Sequence, residues 1–302
     1  MNPGHRLGSP WKPTVSIPSL RFNGSGVDWE AYREWLAKDK SPVYVRECVN
    51  YGKRYAHCLL DKDFSDVRDA PETIRPHILR ALSNLSKFLG IYDVFKQLMG
   101  KYGLSWKGRS TDDIFIERLL SVRNPDEIWN WVRQVKEARP DLADFMDFVA
   151  ITGLRLNEAI KSWNLIHRLA RQGKLSEYYN EEREALEHFR FKELFIRRTK
   201  KAFVSFVPKN FMERVVNSER LGSSNNCIRK RLKSVGLKMR FHDVRKAHAT
   251  ILTKYLRQPE IDFLHGRVST NIFMANYFNP ALISDLKERM FKAIEEIKNK
   301  IT

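Results

Sequence analysis

The sequence predicts a mainly α-helical protein in two parts: a small all-helical domain, then a larger, mostly helical domain carrying a small antiparallel β-sheet. Three observations predict it. Apolar residues recur at three- and four-residue steps through most of the chain, the spacing of one helix face. A single stretch, 193–207, has the composition of paired strands. A polar, basic segment with two glycines, 103–113, interrupts the helical pattern and reads as a connection.

Residues 1–24 are proline-rich and without periodicity, an extended arm or leader. From Val27 the pattern turns helical through Trp29, Tyr32, Trp35 and Leu36, and Ser41-Pro42 opens a second helix through Val45, Cys48 and Val49. A third helix carries Ile78, Leu82, Leu85, Phe88 and Leu89 and ends at Gly90, and the apolar segment 92–98 closes the first domain, 25–105. Residues 106–113 are the expected linker and 114–302 the second domain. Its helices start near Pro125 (Ile128, Trp131, Val132, Val135) and Pro140 (Leu142, Phe145, Met146, Val149), since proline suits a first helical turn. LFIRRTKKAFVSFV sets β-branched and aromatic residues on either side of a basic centre, a hairpin pattern. Breaks at Gly222, Gly236, Pro259 and Gly266 divide the helices that follow, and a final amphipathic helix, 283–301, carries Ile283, Leu286, Met290, Phe291, Ile294 and Ile297.

Composition narrows the function. With 54 Lys+Arg against 36 Asp+Glu the formal charge is +18, an electrostatic footprint for a polyanion, nucleic acid first. No apolar run reaches the roughly 18 residues a membrane helix needs, and the first 25 residues lack a signal-peptide core. Cys48, Cys58 and Cys227 are an odd number without CxxC or zinc spacing, which fits a reducing compartment and no structural metal. His57, Cys58, His167 and His188 are scattered without ligand spacing. A phosphate-binding P-loop and a dinucleotide fingerprint are both absent, so no cofactor is expected.

Four short motifs carry chemistry: 152–158 (TGLRLNE), 241–245 (FHDVR), 264–267 (LHGR) and 276–278 (NYF). Singly each is weak. In this order, with His242 and Arg245 lying 35 and 32 residues before Tyr277, they resemble the catalytic box of the tyrosine recombinase (phage integrase) family. The wording LHGRVSTNIFMANYF is most similar to integrases of archaeal spindle-shaped viruses and related archaeal plasmids. The resemblance covers roughly residues 148–280, and the helical unit before it is similar in length and position to that family's core-binding domain.

Residue chemistry suits the implied role. Guanidinium forks hold growing charge on phosphate oxygens and stay charged at any working pH, as Arg155 and Arg245 would. The i, i+3 spacing of His242 and Arg245 brings both to one helix face. The resemblance implies that Tyr277 attacks the scissile phosphate to form a 3′-phosphotyrosyl bond, and that a hairpin lysine, Lys200 or its rival Lys201, protonates the leaving 5′-oxygen. Where the family usually has His or Trp about nine residues before the nucleophile this chain has Val268; the LxGR form assigns the transition-state donor to Arg267, with His265 as the alternative. Glu158 would orient Arg155. Tyr255 reads as packing on the Arg245 helix, Tyr178 and Tyr179 fit no motif, and His248 reads as a satisfied structural histidine.

The resemblance further implies double-stranded attachment-site DNA as partner, gripped between the two domains, and a homo-tetramer on DNA that is a monomer or weak oligomer when free. It also implies residence in the host-cell interior with the nucleoid. Arg197, Arg198, Arg229, Lys230, Arg231 and Lys233 are the expected phosphate contacts, and the C-terminal helix is expected to dock on a neighbouring protomer. Two rival functions stay open: a type IB topoisomerase using the same residue set, and a non-catalytic DNA-binding relative.

Overall fold

A computed structural model of the chain describes residues 22–23, 26–106, 110–120, 126–197, 200–222, 224–267 and 276–302. It is mainly helical with a small three-stranded antiparallel sheet, and it divides into two compact units, Met1–Ser121 and Val122–Thr302. Among the described residues no helix is long and apolar enough to cross a membrane.

In the first unit a two-residue ladder, β1 (Phe22–Asn23) with β2 (Gly26–Val27), leads to α1 (Trp29–Ala37), whose N-cap Asp28 accepts from the amides of Glu30 and Ala31. Ser41 caps α2 (Pro42–Leu60), with Pro42 in the first turn as expected. A short α3 (Ser65–Asp69) precedes α4 (Arg75–Leu89) and α5 (Tyr92–Lys101). The α2–α4 pair is the centre, and Tyr32, Leu36, Val45, Cys48, Val49, Ile78, Leu82, Leu85, Phe88 and Leu89 are buried between the helices. Trp29 and Trp35 pack at the edge of that core.

The stretch read as a linker, 106–113, runs into a further helix, α6 (Thr111–Leu120). Its start is a capping box: Ser110 Oγ accepts from the Asp113 amide at 3.0 Å and Asp113 Oδ2 accepts from the Ser110 amide at 3.2 Å. Residues 107–109, and the expected arm before Phe22, lie outside the described residues.

The second unit is built around α8 (Ala143–Thr152), whose residues Phe145 to Thr152 are all buried. Before it comes α7 (Glu127–Ala138) and after it α9 (Leu156–Arg171). The sheet joins β3 (Tyr179–Asn180), β4 (Ala185–Leu186) and β5 (Ser205–Phe206) in that order. This corrects the expected hairpin over 193–207. That stretch holds a single helical turn, α10 (Lys192–Phe195), one isolated bridge between Ile196 and Lys201, and only then β5. Apart from Ile196 in the bridge and Phe206 in β5, the apolar residues described here pack rather than pair: Phe195 and Ala202 are buried, and Phe203 stacks on Phe263. Tyr178 and Tyr179, which fit no motif, are buried core residues.

Four helices complete the unit: α11 (Lys209–Asn217), α12 (Asn225–Lys233), α13 (Phe241–Leu252) and α14 (Gln258–Leu264), followed by the C-terminal helix Leu286–Ile301. The apolar stripe of this last helix packs on its own unit, the alternative to docking on a neighbouring protomer. Leu286, Met290, Ala293, Ile294, Ile297 and Ile301 are buried against α7, α8 and α13 of their own unit. Arg133 and Lys136 donate to the carbonyls of Lys300 and Ile301, at 2.6 and 2.9 Å.

Candidate active site

Three chain segments separated by many tens of residues meet at the end of α8. The helix stops at Gly153, whose φ of +59° is the left-handed conformation glycine adopts without strain, and a Cβ there would lie 2.3 Å from His248 Nδ1. The chain then extends through Arg155, the N-cap of α9, into the first turn that carries Glu158. Glu158 is fully buried. Its carboxylate accepts from the Arg155 amide at 3.3 Å, from Arg155 Nη1 at 3.0 and 3.1 Å, and from Arg197 Nη2 at 3.1 Å.

Arg245, on the first turns of α13, is only 8% exposed. It donates through Nη1 to the Gly153 carbonyl at 2.6 Å and through Nη2 to the His265 carbonyl at 2.7 Å. These bonds tie the α8–α9 junction to the end of α14. There the helix closes in a Schellman arrangement: the Arg267 amide donates to the Asp262 carbonyl and the Gly266 amide to that of Phe263, with Gly266 at φ +64°.

The Ile196–Lys201 turn presses on this end. The Arg197 amide donates to Lys200 O, the Ala202 amide to Phe195 O, and Lys201 O accepts from Arg155 Nη1 at 3.3 Å. Gly266 sits so close that a Cβ would come 1.8 Å from Lys201 O. Lys200 is exposed, Lys201 half-buried, and Arg198 lies outside the described residues. Behind the turn runs a buried chain that sequence reading missed: Ser162 Oγ to Tyr178 Oη at 2.8 Å, Tyr178 Oη to His188 Nδ1 at 2.6 Å, and His188 Nε2 to Ser205 Oγ at 2.8 Å. Its members come from α9, the sheet and the segments between, and no local pattern signals them.

The guanidinium groups feel one another. Burial, with Arg155 and Arg267 beside it, pushes the Arg245 pKa down to about 10, so the group stays charged at neutral pH. Burial pushes His248 down to about 3, and burial together with His248 and the three arginines pushes His265 down too, so both imidazoles are neutral. Their tautomers follow from the bonds they make. His248 Nε2 faces the Ile151 carbonyl at 3.2 Å and must donate there, which makes His248 Nδ1 the acceptor from His265 Nε2 at 3.0 Å. His265 Nδ1 is then a bare acceptor, buried without a partner among the described residues. His265 Nε2 is thus committed to His248, whereas Arg267, the other residue of this pair of candidates, has a half-exposed side chain that reaches Asp262 at 3.6 Å.

His242 is exposed, one turn before Arg245 on α13, and Tyr277 is 75% exposed; residues 268–275, which lead to it, lie outside the described residues. On α12, Arg229, Lys230 and Lys233 are exposed, while Arg231 pairs with Asp141 at 3.1 Å. His248 is hydrogen-bonded and buried, and Tyr255, just past α13, donates to Glu296 at 2.9 Å. Chemically, four guanidinium groups (Arg155, Arg197, Arg245, Arg267) meet two carboxylates (Glu158, Asp262), a net positive cluster able to attract an anion. No protein-family model matches the chain, and neither a curated protein nor a solved structure matches it.

Proposed function

We propose that the chain is a tyrosine site-specific DNA recombinase that integrates and excises a mobile element, acting as a homo-tetramer on double-stranded attachment sites. The observation that carries the reading is the convergence of Arg155, Arg245 and Arg267 around one buried histidine, with the Lys200–Lys201 backbone against them. The order of these residues in the chain, ending in Tyr277, supports the same reading.

In this reaction the Tyr277 hydroxyl oxygen bonds to the scissile phosphorus and gives up its proton to His242 acting as base, and the bond from phosphorus to the 5′-oxygen breaks. Lys200, or Lys201, supplies the proton that makes the 5′-oxygen a hydroxyl. Arg155, Arg245 and Arg267 hold the charge that grows on the non-bridging oxygens. The phosphotyrosyl bond keeps the energy of the broken phosphodiester, and attack by a 5′-hydroxyl of the partner strand reverses the step. A phenol of pKa about 10 needs a positive field to act near neutrality, and the guanidinium cluster supplies one.

The test is a nicked suicide duplex carrying candidate attachment DNA, run on a denaturing gel beside Tyr277→Phe and Arg245→Ala. A protein–DNA adduct is expected with the wild type, none with Tyr277→Phe despite equal DNA binding, and a loss of at least about 10²-fold with Arg245→Ala. An adduct that survives Tyr277→Phe, or full activity of Arg245→Ala, overturns the assignment. A two-duplex assay then separates strand exchange from the relaxation a type IB topoisomerase performs.

A further inference from the structure

The first unit contains a side-chain cluster with no part in this chemistry. His57 and Cys58, in the last turn of α2, meet Asp66 of α3: His57 Nε2 lies 3.3 Å from Cys58 Sγ and 3.1 Å from Asp66 Oδ2. His57 and Cys58, read from spacing as lacking a ligand set, are joined by a third donor group, Asp66, eight residues on and brought back by a turn.

The turn is a built one. The Asp61 amide donates to His57 O at 2.8 Å and the Asp63 amide to Cys58 O at 2.9 Å, with Lys62 in the left-handed region at φ 57°. Asp63 Oδ1 accepts from the Ser65 amide, Ser65 Oγ and Tyr102 Oη, which fixes the start of the helix that carries Asp66.

One imidazole nitrogen faces both the thiol and the carboxylate. A nucleophilic Cys–His–acid triad sets those partners on opposite ring nitrogens, so that the ring can pass a proton between them. A single Nε2 carries at most one proton and cannot serve both. Three donor atoms of different chemistry within 4.8 Å of one another are instead an arrangement that a metal ion satisfies. Ordinary Zn–N, Zn–O and Zn–S lengths at a tetrahedral centre imply N···O and N···S separations of about 3.3 and 3.6 Å, a few tenths of an ångström from those present. The local field agrees. In a chain of net charge +18, residues 61–72 hold five acidic side chains and two basic ones, and the cluster sits at the negative, C-terminal end of α2.

We propose that His57 Nε2, Cys58 Sγ and Asp66 Oδ2 bind one divalent d-block cation, zinc foremost, that staples α2 to α3. The mixed nitrogen, sulfur and oxygen set selects zinc over magnesium or calcium, which take oxygen ligands alone. His57 and Asp66 are exposed while Cys58 is buried, so the outward position falls to water. Binding releases the thiol proton of Cys58 to solvent, one per cation.

The test uses the full chain, stripped with a chelator and titrated with Co²⁺ as a spectroscopic substitute. One equivalent should give tetrahedral visible absorption and a thiolate-to-cobalt charge-transfer band, release one proton, and be displaced by Zn²⁺. Cys58→Ser should abolish the band and Cys227→Ser should keep it. Because Cys58 is buried, the exposed His57→Gln and Asp66→Asn variants, with unchanged circular dichroism, provide the second arm and should each weaken binding at least about tenfold. Absence of the band in the folded protein, its survival in Cys58→Ser, or wild-type affinity in both exposed variants overturns the site.

Discussion

Replacing Gly266 with alanine tests whether the end of α14 positions the lysine turn. The residue sits at φ +64°, where a side chain costs about 1–2 kcal/mol. Gly173 and Gly236, at φ +67° and +74°, incur the same backbone penalty, but a Cβ at either meets nothing within 4 Å. At Gly266 the new Cβ would lie 1.8 Å from Lys201 O, whereas real Cβ contacts stay beyond 3.0 Å, so the two segments must part by about 1.2 Å. That movement breaks the hydrogen bond from Arg155 Nη1 to Lys201 O, already 3.3 Å long, and carries Lys200 and Lys201 with it. Overpacking of this kind adds about 1–3 kcal/mol, and misplacing a catalytic group by about 1 Å lowers a rate roughly 10²-fold. Urea unfolding of the three alanine variants should therefore show a common loss with an excess at Gly266. Single-turnover cleavage of the suicide duplex should fall about 10²-fold for Gly266→Ala and stay at the wild-type rate for the other two. If Gly266→Ala unfolds with its controls and cleaves at their rate, the turn yields freely and the contact positions nothing.

Glu158→Gln sets an amide N–H₂ against the donors of Arg155 and Arg197; a loss of about 1–3 kcal/mol is expected by denaturant unfolding with an unchanged slope, and wild-type stability would show that the shared carboxylate holds neither arginine. His188 and His248 have folded-state pKa values near 3 against 6.5 for the free side chain, so the unfolded chain binds the extra protons below pH 6.5. Stability should fall as pH drops from about 6.5 toward 3, by up to about 1.4 kcal/mol per pH unit for each histidine, and the fall should be shallower in His188→Gln. Truncation before Leu286 exposes a core that five large aliphatic side chains covered, at about 1.5–3 kcal/mol each. That approaches the about 5–15 kcal/mol stability of a whole domain, so near-ultraviolet circular dichroism should report loss of the second unit's tertiary structure, and a native spectrum would refute the packing described.

The helices were legible where periodicity alone decides the outcome. Tyr32 and Leu36, Val45 and Val49, and Ile78, Leu82 and Leu85 recur at helical steps, and each is buried on the expected face. Helix α6 was hidden for the opposite reason. Its start is marked by Ser110 and Asp113 inside a stretch that otherwise has linker composition, and Phe115, Ile116, Leu119 and Leu120 are exposed rather than set in a core. The sheet escaped because its strands are two residues long, too short for alternation to register. The aromatic richness of 193–207 that suggests strands reflects burial in the core instead.

In the site, the order of motifs was legible and the means of holding them was not. Glu158 is shared with Arg197, 39 positions away, and Gly266 abuts a carbonyl 65 positions before it; neither relation leaves a mark on local spacing. The i, i+3 pattern of His242 and Arg245 predicts a shared face, yet one is exposed and the other almost fully buried, because Arg245 lies with Phe241 and His248 on the core side of α13 while His242 lies with exposed Lys246. What Arg245 meets there is the decisive arrangement. Its two bonds go to backbone carbonyls, Gly153 O and His265 O, which orient the guanidinium without cancelling its charge as a carboxylate would. Burial lowers its pKa only to about 10, so the positive charge persists and is fixed in direction before any anion arrives. Arg245→Lys would keep the charge but could not span both carbonyls with one ammonium, and should therefore separate the orienting role from the charge itself.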